Sequence, residues 1–546
     1  MNEYDVVIIG SGAGGLTAAV ALAQAGQKVL VCEQHEVPGG WTHSFTLERY
    51  RFSPGVHYIG GVQPGGQMRA IYEGLGVSQD LAFCELNPDG FDHIFVGDER
   101  FDIPRGRDEF VARLKARFPQ EKKGIDRYFD TIEQLMADIG KLGRMRGIGD
   151  FLTVPFRAGT AVRWGFRSAQ AMINHYISDP VLRAILAGQS GDHGLPPSMV
   201  SAAVHAGVTT HYFDGGYYPM GGGFAIPRAF ARALKRAGGE LRLQTRVSQI
   251  LLEGKRARGV RLDDGSEIQA KHVISNADPE VTFGRLIGRE HLPGRLRRKL
   301  DRARYSTSAL SLFFAVDMDL RAAGLDSGNY WFYEDADLDR LYRAGLTDDV
   351  LHRDKPPSMF LTVTTLKDPS KMHSGHHTLE AFTFVSHKPF QQWADQPAGD
   401  RDWEYQKLKN RLMDGMLTGL ERYVPGIKES VVFKDLGTPL SNQYYVNATA
   451  GNLYGTDKGV WQVGPFAFAM KTAFEGLWMC GASTLSHGVA GATASGLAVA
   501  KRILRCRTSD LLQMNGPELQ VYPSEDVSQW PEVLQQKIAR RSQEPL

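Results

Sequence analysis

Two rhythms of apolar spacing divide this chain. Near its start, Val6 to Ile9 form an unbroken β-branched run, the pattern of a strand buried on both faces. Gly10-Ser11-Gly12-Ala13-Gly14-Gly15 interrupts it, and from Leu16 to Ala25 the apolar residues take helical spacing, closing at Gly26. A second apolar run, Lys28 to Cys32, ends in Glu33, 23 residues beyond Gly10. Far downstream, Gly476 to Gly481 reads as another buried strand, leading through His487-Gly488-Val489-Ala490-Gly491 into a small-residue helix that lasts through Ala500. Between these ends the text from Gln79 to His211 is mainly helical, whereas Ala309 to Val316, Phe360 to Thr365 and Thr378 to Phe384 read as strands. That middle region is expected to form a sheet roofed by helices.

Strand, glycine turn, helix, strand and terminal acid together describe a dinucleotide-binding βαβ unit. Gly10 permits the tight turn, Gly12 lets backbone approach a pyrophosphate, and Gly15 lets helix and strand pack closely. Free N–H groups near Ala13 and Gly14, with the positive end of the helix dipole, then face the phosphates. Glu33 is placed to accept from ribose hydroxyls, with Gln34 beside it. The motif alone does not separate NAD from FAD. The following glycine-rich loops, Pro38-Gly39-Gly40-Trp41-Thr42-His43 and Gly55-Val56-His57-Tyr58-Ile59-Gly60, suggest a lid over something larger. The helix opening at Gly488, Val489 and Ala490 can bring its N-terminus near a flat ring and stabilise negative charge there. A cofactor gripped from both ends of the chain is flavin-like.

Composition removes several classes. Among 546 residues, 42% are hydrophobic and 23% charged, with a net charge of +2, so neither a disordered chain nor a nucleic-acid binder is indicated. The four cysteines are scattered without a CxxC pair, which suggests a reducing compartment, no disulfide framework and no metal site. There is no HExxH, GxSxG or Walker A sequence. The first ten residues lack the basic flank and long apolar core of a signal peptide. No apolar stretch reaches the ~18 residues of a spanning helix. The expectation is a cytoplasmic protein with peripheral membrane contact. Between Lys141 and Gln170, six basic residues face the single acid Asp150, interleaved with Phe151, Phe156 and Trp164. This is the composition of an interfacial segment through which a lipid-soluble substrate could enter.

The stretches VVIIGSGAGGLTAAVALAQAGQKVLVCEQHEVPGG, FSPGVHYIGG, LPPSMVSAAVHAGV, GGYYPMGGGFAIPRAF, VISNADPE and CGASTLSHGVAGATASG resemble the FAD-dependent phytoene desaturase superfamily, within it the retinol saturase and carotenoid isomerase branch. The resemblance implies an α/β fold: a Rossmann-type FAD-binding domain of the glutathione reductase and amine oxidase kind with an inserted α+β substrate domain. FAD would be held by residues 1–78, 215–290 and 470–507. Residues 79–214 would form a helical substrate lid, 291–469 the substrate sheet, and 508–546 a C-terminal appendage. Flanking strands are expected from Leu241 to Val247 and Val260 to Leu262, with Val247 near the adenine. Where relatives often carry an Asp after Gly481, this chain has Ala482-Ser483, so either Ser483 contacts the ribitol more weakly or another group substitutes for the Asp. The implied activity is hydride exchange between flavin N5 and carbon–carbon double bonds of a hydrophobic polyene or isoprenoid, by saturation or cis–trans isomerisation. Phytoene-type desaturation is an alternative, and a non-catalytic prenyl-lipid carrier is one of another class. His57, Tyr58, Tyr217 and His487 are the candidate acids and ring-orienting groups. The electron partner is not indicated.

Overall fold

The structure is a computed structural model describing residues 3–143, 157–513 and 515–542. Strand Tyr4–Ile9 lies parallel between Val29–Cys32 and Glu267–Ser275, and five of its six residues are buried. A strand enclosed on both faces gains from apolar side chains at every position, which is why its sequence does not alternate. The sheet extends on one side to Glu240–Arg242, and on the other to the antiparallel strands Arg256–Leu262 and Val247–Glu253; Leu477–Met479 joins the end of Glu267–Ser275 in parallel.

Leu241 to Val247 is not one strand. It breaks after Arg242, where Gln244 takes φ +50° and the N–H groups of Gln244 and Thr245 donate to the carbonyls of His35 and Glu33. The chain is thereby pinned against the end of Val29–Cys32, and a new strand starts at Val247. Val260 to Leu262 closes the longer strand Arg256–Leu262.

Helix Ala13–Gln24 begins inside the glycine motif, and eleven of its twelve residues are buried. It packs against helix Gly488–Leu504, which runs four residues past Ala500. A Cβ on Gly496 would stand 2.1 Å from the carbonyl oxygen of Gly14, so the closest approach of the two helices requires that glycine.

The second sheet has the order Val431–Gly437, Ser308–Val316, His377–Val385, Ser358–Val363, Asn329–Tyr333, Asp92–Val96, Glu99–Ile103. The region from Gln79 to His211 is therefore less helical than its spacing suggests: two strands of this sheet come from it, and Ala82–Glu85 is a third. Phe360 to Thr365 divides as well. The strand ends at Val363, where the hydroxyls of Thr364 and Thr365 reach Thr378 and His377 and a short helical turn follows. Alternation sorts the faces. Trp331, Phe360 and Phe384 join the core under the helices of residues 107–211, while Tyr330, Phe332, Leu361 and Ala381 pack towards helix Trp403–Glu421.

The carboxyl-terminal segment is built into the fold rather than appended. Gln520–Pro523 pairs in parallel with Ala82–Glu85, which pairs in turn with Tyr217–Pro219, and Trp530 is 3% exposed. The tail's helix spans Glu532–Ser542. Trp164, expected at a membrane surface, is 1% exposed and sits between the guanidinium groups of Arg163 and Arg167, each 5.2 Å from its ring. It is core, since its flat ring has more to gain from packing on Tyr176 and His175 than from solvent. Phe151 and Phe156 lie outside the described residues. Among those described, no helix is long and apolar enough to cross a membrane.

Candidate functional site

Two helix N-termini open on one cavity of about 410 Å³. Helix Ala13–Gln24 starts at Gly12 and helix Gly488–Leu504 at His487, each without a side-chain cap and without an acid in its first turn. Their first N–H groups have no helical acceptor, and both dipoles present their positive ends. Gly10, Gly12, Ala13 and Gly14 from one, and Gly488 and Val489 from the other, line the cavity. Such a pair suits an anionic ligand.

Gly15 does not line it: a Cβ there would lie 2.2 Å from the carbonyl oxygen of Gly10, so Gly15 serves helix-on-strand packing as expected. A Cβ on Gly12 or Gly14 would meet the Asn276 amide, at 2.6 and 2.7 Å. Asn276 follows strand Glu267–Ser275, its N–H donating to the carbonyl of Ile9, and lines the same cavity. It stands in the VISNADPE stretch, where sequence reasoning assigned it no role.

Glu33 lines the opposite end with Gln34, Thr245, Arg246 and Val247. Its Oε2 accepts from the Ser11 N–H (2.9 Å) and hydroxyl (2.5 Å), and its Oε1 from the His35 N–H (2.9 Å). Three of roughly four acceptor directions are used, so one remains for a ligand hydroxyl. The Ser11 hydroxyl also accepts from Gly39 N–H, which ties the first glycine loop to the lid loop. Gly39, Gly40 and Trp41 line the cavity beyond it.

At its far end the cavity reaches the second sheet through Ala309, Ser311 and Phe382. Ser311 and Phe382 are direct cross-strand partners. Phe382 stacks on Phe360 at 4.6 Å, and Phe360 meets the edge of Trp331 at the same distance. His57 lies over this aromatic row, 5.1 Å from Phe360 and 5.7 Å from Phe382. Its Nδ1 is 3.2 Å from Glu380 Oε2, yet the two are not aligned as a hydrogen bond, and both atoms are buried without another partner. Glu380 shares the strand face of Phe382, and its Oε1 accepts from Ser53 N–H at 2.7 Å. The buried Lys367 ammonium donates to the His57 carbonyl (2.7 Å) and to Asn329 Oδ1. Burial pushes this lysine down to about 7.

Of the four candidate acids, His57 alone lines the cavity. The Tyr58 hydroxyl stands between Asp92 Oδ2 (3.0 Å) and Asp192 Oδ2 (2.8 Å), its ring stacked on Tyr212 at 4.3 Å. Burial pushes Asp92 up to about 6, and burial beside Asp92 pushes Asp192 well above the carboxylate range. His487 Nε2 is 2.7 Å from the Asp192 carbonyl oxygen, and burial drives that imidazole down to about 3. Tyr217 donates to the carbonyl of Asp214 and lines a separate polar cavity with Arg69, Glu85 and Arg105. Ser483 and Ala490 do not line the main cavity; the Ser483 hydroxyl accepts instead from Thr456 N–H at 3.1 Å. Among the described residues no cluster of three or more side chains could hold a metal.

The family described as flavin containing amine oxidoreductase matches residues 13–504. All-trans-retinol 13,14-reductase of Danio rerio is 30% identical over 533 residues, covering 92% of this chain and 86% of its own length. The chloroplastic prolycopene isomerase of Daucus carota is 28% identical over 520 residues, covering 92% and 80%. An oxidoreductase structure from Methanosarcina mazei shares the fold with a TM-score of 0.63 at 19% identity, covering 91% of this chain and 99% of that one.

Proposed function

The chain belongs to the flavin containing amine oxidoreductase family, with FAD as its cofactor, and on that premise we propose that it reduces or isomerises a carbon–carbon double bond in a hydrophobic polyene or isoprenoid. The cavity fits FAD on its own terms: an uncapped helix start at Gly12 for the pyrophosphate, a second at His487 for the ring, an acceptor at Glu33 for a ribose, and an end that reaches the apolar ring of Phe382. Bound FAD supplies two-electron hydride exchange.

The observation that carries the substrate reading is the aromatic row Trp331–Phe360–Phe382 meeting the cavity under His57. The ring of Phe382 on the cavity wall, backed by the buried Phe360 and Trp331, gives a conjugated chain a flat apolar contact that keeps water away from the reacting carbons. His57 turns Nδ1 towards Glu380, leaving Nε2 as the nitrogen for substrate. A protonated His57 steadied by Glu380 would deliver the proton that saturation needs beside the hydride. The names of the reductase and isomerase relatives support both outcomes. Anaerobic incubation of the flavin-reduced enzyme with retinoid and carotenoid polyenes tests this by product mass. A gain of two hydrogens marks saturation and an unchanged mass with altered geometry marks isomerisation; no product from any polyene would retire the reading.

The substrate is proposed to arrive from a membrane surface. Phe166 and Trp461 are 57% and 67% exposed, lie 6.3 Å apart and both contact Phe466, with the exposed Arg163 and Arg167 nearby in sequence. Apolar rings rimmed by cations suit an anionic lipid interface. Replacing Phe166 and Trp461 with Ser is expected to abolish co-sedimentation with anionic liposomes, and unchanged binding would refute the docking.

A further inference from the structure

Lys458 is a lysine buried to 4% exposure whose ammonium has one acceptor, the carbonyl oxygen of Ala482 at 2.6 Å. Two of its three N–H donors are unspent. Asp457, next to it in sequence, draws on its charge without pairing with it. Asp457 is committed to Arg304, at 2.8 Å, and to Gln462 and the Gly459 N–H. His487, which also feels Lys458, is held neutral by burial. No carboxylate among the described residues forms an ion pair with this ammonium. A buried, uncompensated cation is costly unless an anion comes to meet it.

The place of that cation is specific. Ala482, which Lys458 holds, lines the cofactor cavity together with Gly481, Tyr454, Gly488 and Val489. The loop carrying Lys458 is locked onto this wall by Thr456 N–H donating to Ser483. The ammonium therefore stands one peptide behind the wall, beside the uncapped start of helix Gly488–Leu504.

We propose that Lys458 is a potential-setting residue, its ammonium supplying the positive charge that offsets the anion the bound flavin becomes when reduced. The charge balance is plain: the ring takes two electrons from the reductant, dithionite in the test below, and one proton from solvent, and is left with one net negative charge. An ammonium near it favours the reduced form by Coulomb attraction across a low-dielectric wall. This rests on the flavin cofactor and not on the choice of substrate.

The test compares wild-type holoenzyme with Lys458→Met and Lys458→Arg, by redox-dye equilibration under dithionite and by sulfite affinity, since sulfite addition also leaves the ring negative. Lys458→Met is expected to shift the oxidised–reduced equilibrium and to weaken sulfite binding by roughly tenfold or more, while Lys458→Arg stays near wild type. A methionine variant within twofold of wild type on both measures overturns the proposal, as does one that weakens FAD binding equally in both redox states. Should Lys458→Met not retain flavin, the wild-type protein decides. Burial holds this ammonium down to about 7, with Asp457, Arg304 and His487 as the charged or titratable groups around it. Reduction above that pH must then take up an additional proton, seen as a steeper fall of potential with pH; a constant slope from pH 6 to 9 rejects the idea. Inactivity of the wild type on every polyene would retire the substrate reading and leave this one standing.

Discussion

Asp92 and Asp192 meet at one tyrosine hydroxyl but are not equivalent. Asp92 accepts from Tyr58, Gln189 (2.8 Å), Asn329 (3.0 Å) and Trp331 (3.3 Å), donors that favour its ionised form over that of Asp192. Asp192 has the tyrosine as its side chain's partner, so the shared proton resides there. Asp92→Asn turns an amide N–H towards buried donors and is expected to cost on the order of 3 kcal/mol. Asp192→Asn, replacing an already neutral acid, should cost about 1 kcal/mol or less; chemical denaturation of both variants checks the ranking. His57 faces the cavity itself. His57→Ala is expected to lower polyene turnover by about 10² or more with FAD content unchanged, as read from product formation beside the flavin absorbance.

At the scale of elements, the closeness of helix Ala13–Gln24 to strand Tyr4–Ile9 sets where the helix start and its free N–H groups stand. Gly15→Ala places a methyl where 2.2 Å separates it from the Gly10 carbonyl oxygen. The helix must then lift and carry its free N–H groups out of position. Loss of bound flavin and a lowered melting temperature are expected, checked by the visible spectrum and calorimetry of the purified variant. The terminal strand Gln520–Pro523 is the second such element. Trp530 closes over it, donating from Nε1 to the Pro523 carbonyl at 2.7 Å and packing on Tyr522. Trp530→Ala is expected to cost about 3–5 kcal/mol, measured by denaturant unfolding, because a large side chain and a buried hydrogen bond are lost together.

Over the whole molecule, buried imidazoles set the response to acid. Burial holds His205 and His211 down to about 4, His487 down to about 3, and His193 well below the ordinary value. The unfolded chain, with histidines near 6.5, binds more protons than the folded one, so their contribution to stability is full above about pH 6.5 and is lost as pH falls towards 4. The raised Asp92, Asp192 and Asp278 act in the opposite sense, but burial also holds down His43, His272 and His377, so seven imidazoles face three carboxyls among the described residues. The melting temperature is expected to drop between pH 6.5 and 4.5. His205→Gln should flatten that drop, since it removes a titrating group 2.6 Å from the Tyr128 hydroxyl; an equally steep profile would contradict the assignment.

The glycine turn, the helix that follows it and the acid that ends the next strand were legible from residues alone because their physics is local. A glycine that must meet a carbonyl, a helix start without a cap and an acid ending the next strand lie within 33 residues of the amino terminus, and each constrains its neighbours through backbone geometry. What the chain order could not disclose lies in contacts between distant segments. Glu380 reaches the Ser53 N–H across 327 positions, Asn276 stands over Gly12 and Gly14, and Lys458 finds Ala482. Trp164 carries the same limit: composition shows an aromatic among arginines, whereas only packing decides whether that ring meets lipid or the protein's own core. Periodicity reports which face of an element is apolar; which other element covers that face, and which polar groups are trapped where they meet, is settled by the tertiary arrangement, because burial and charge compensation depend on neighbours that spacing does not encode.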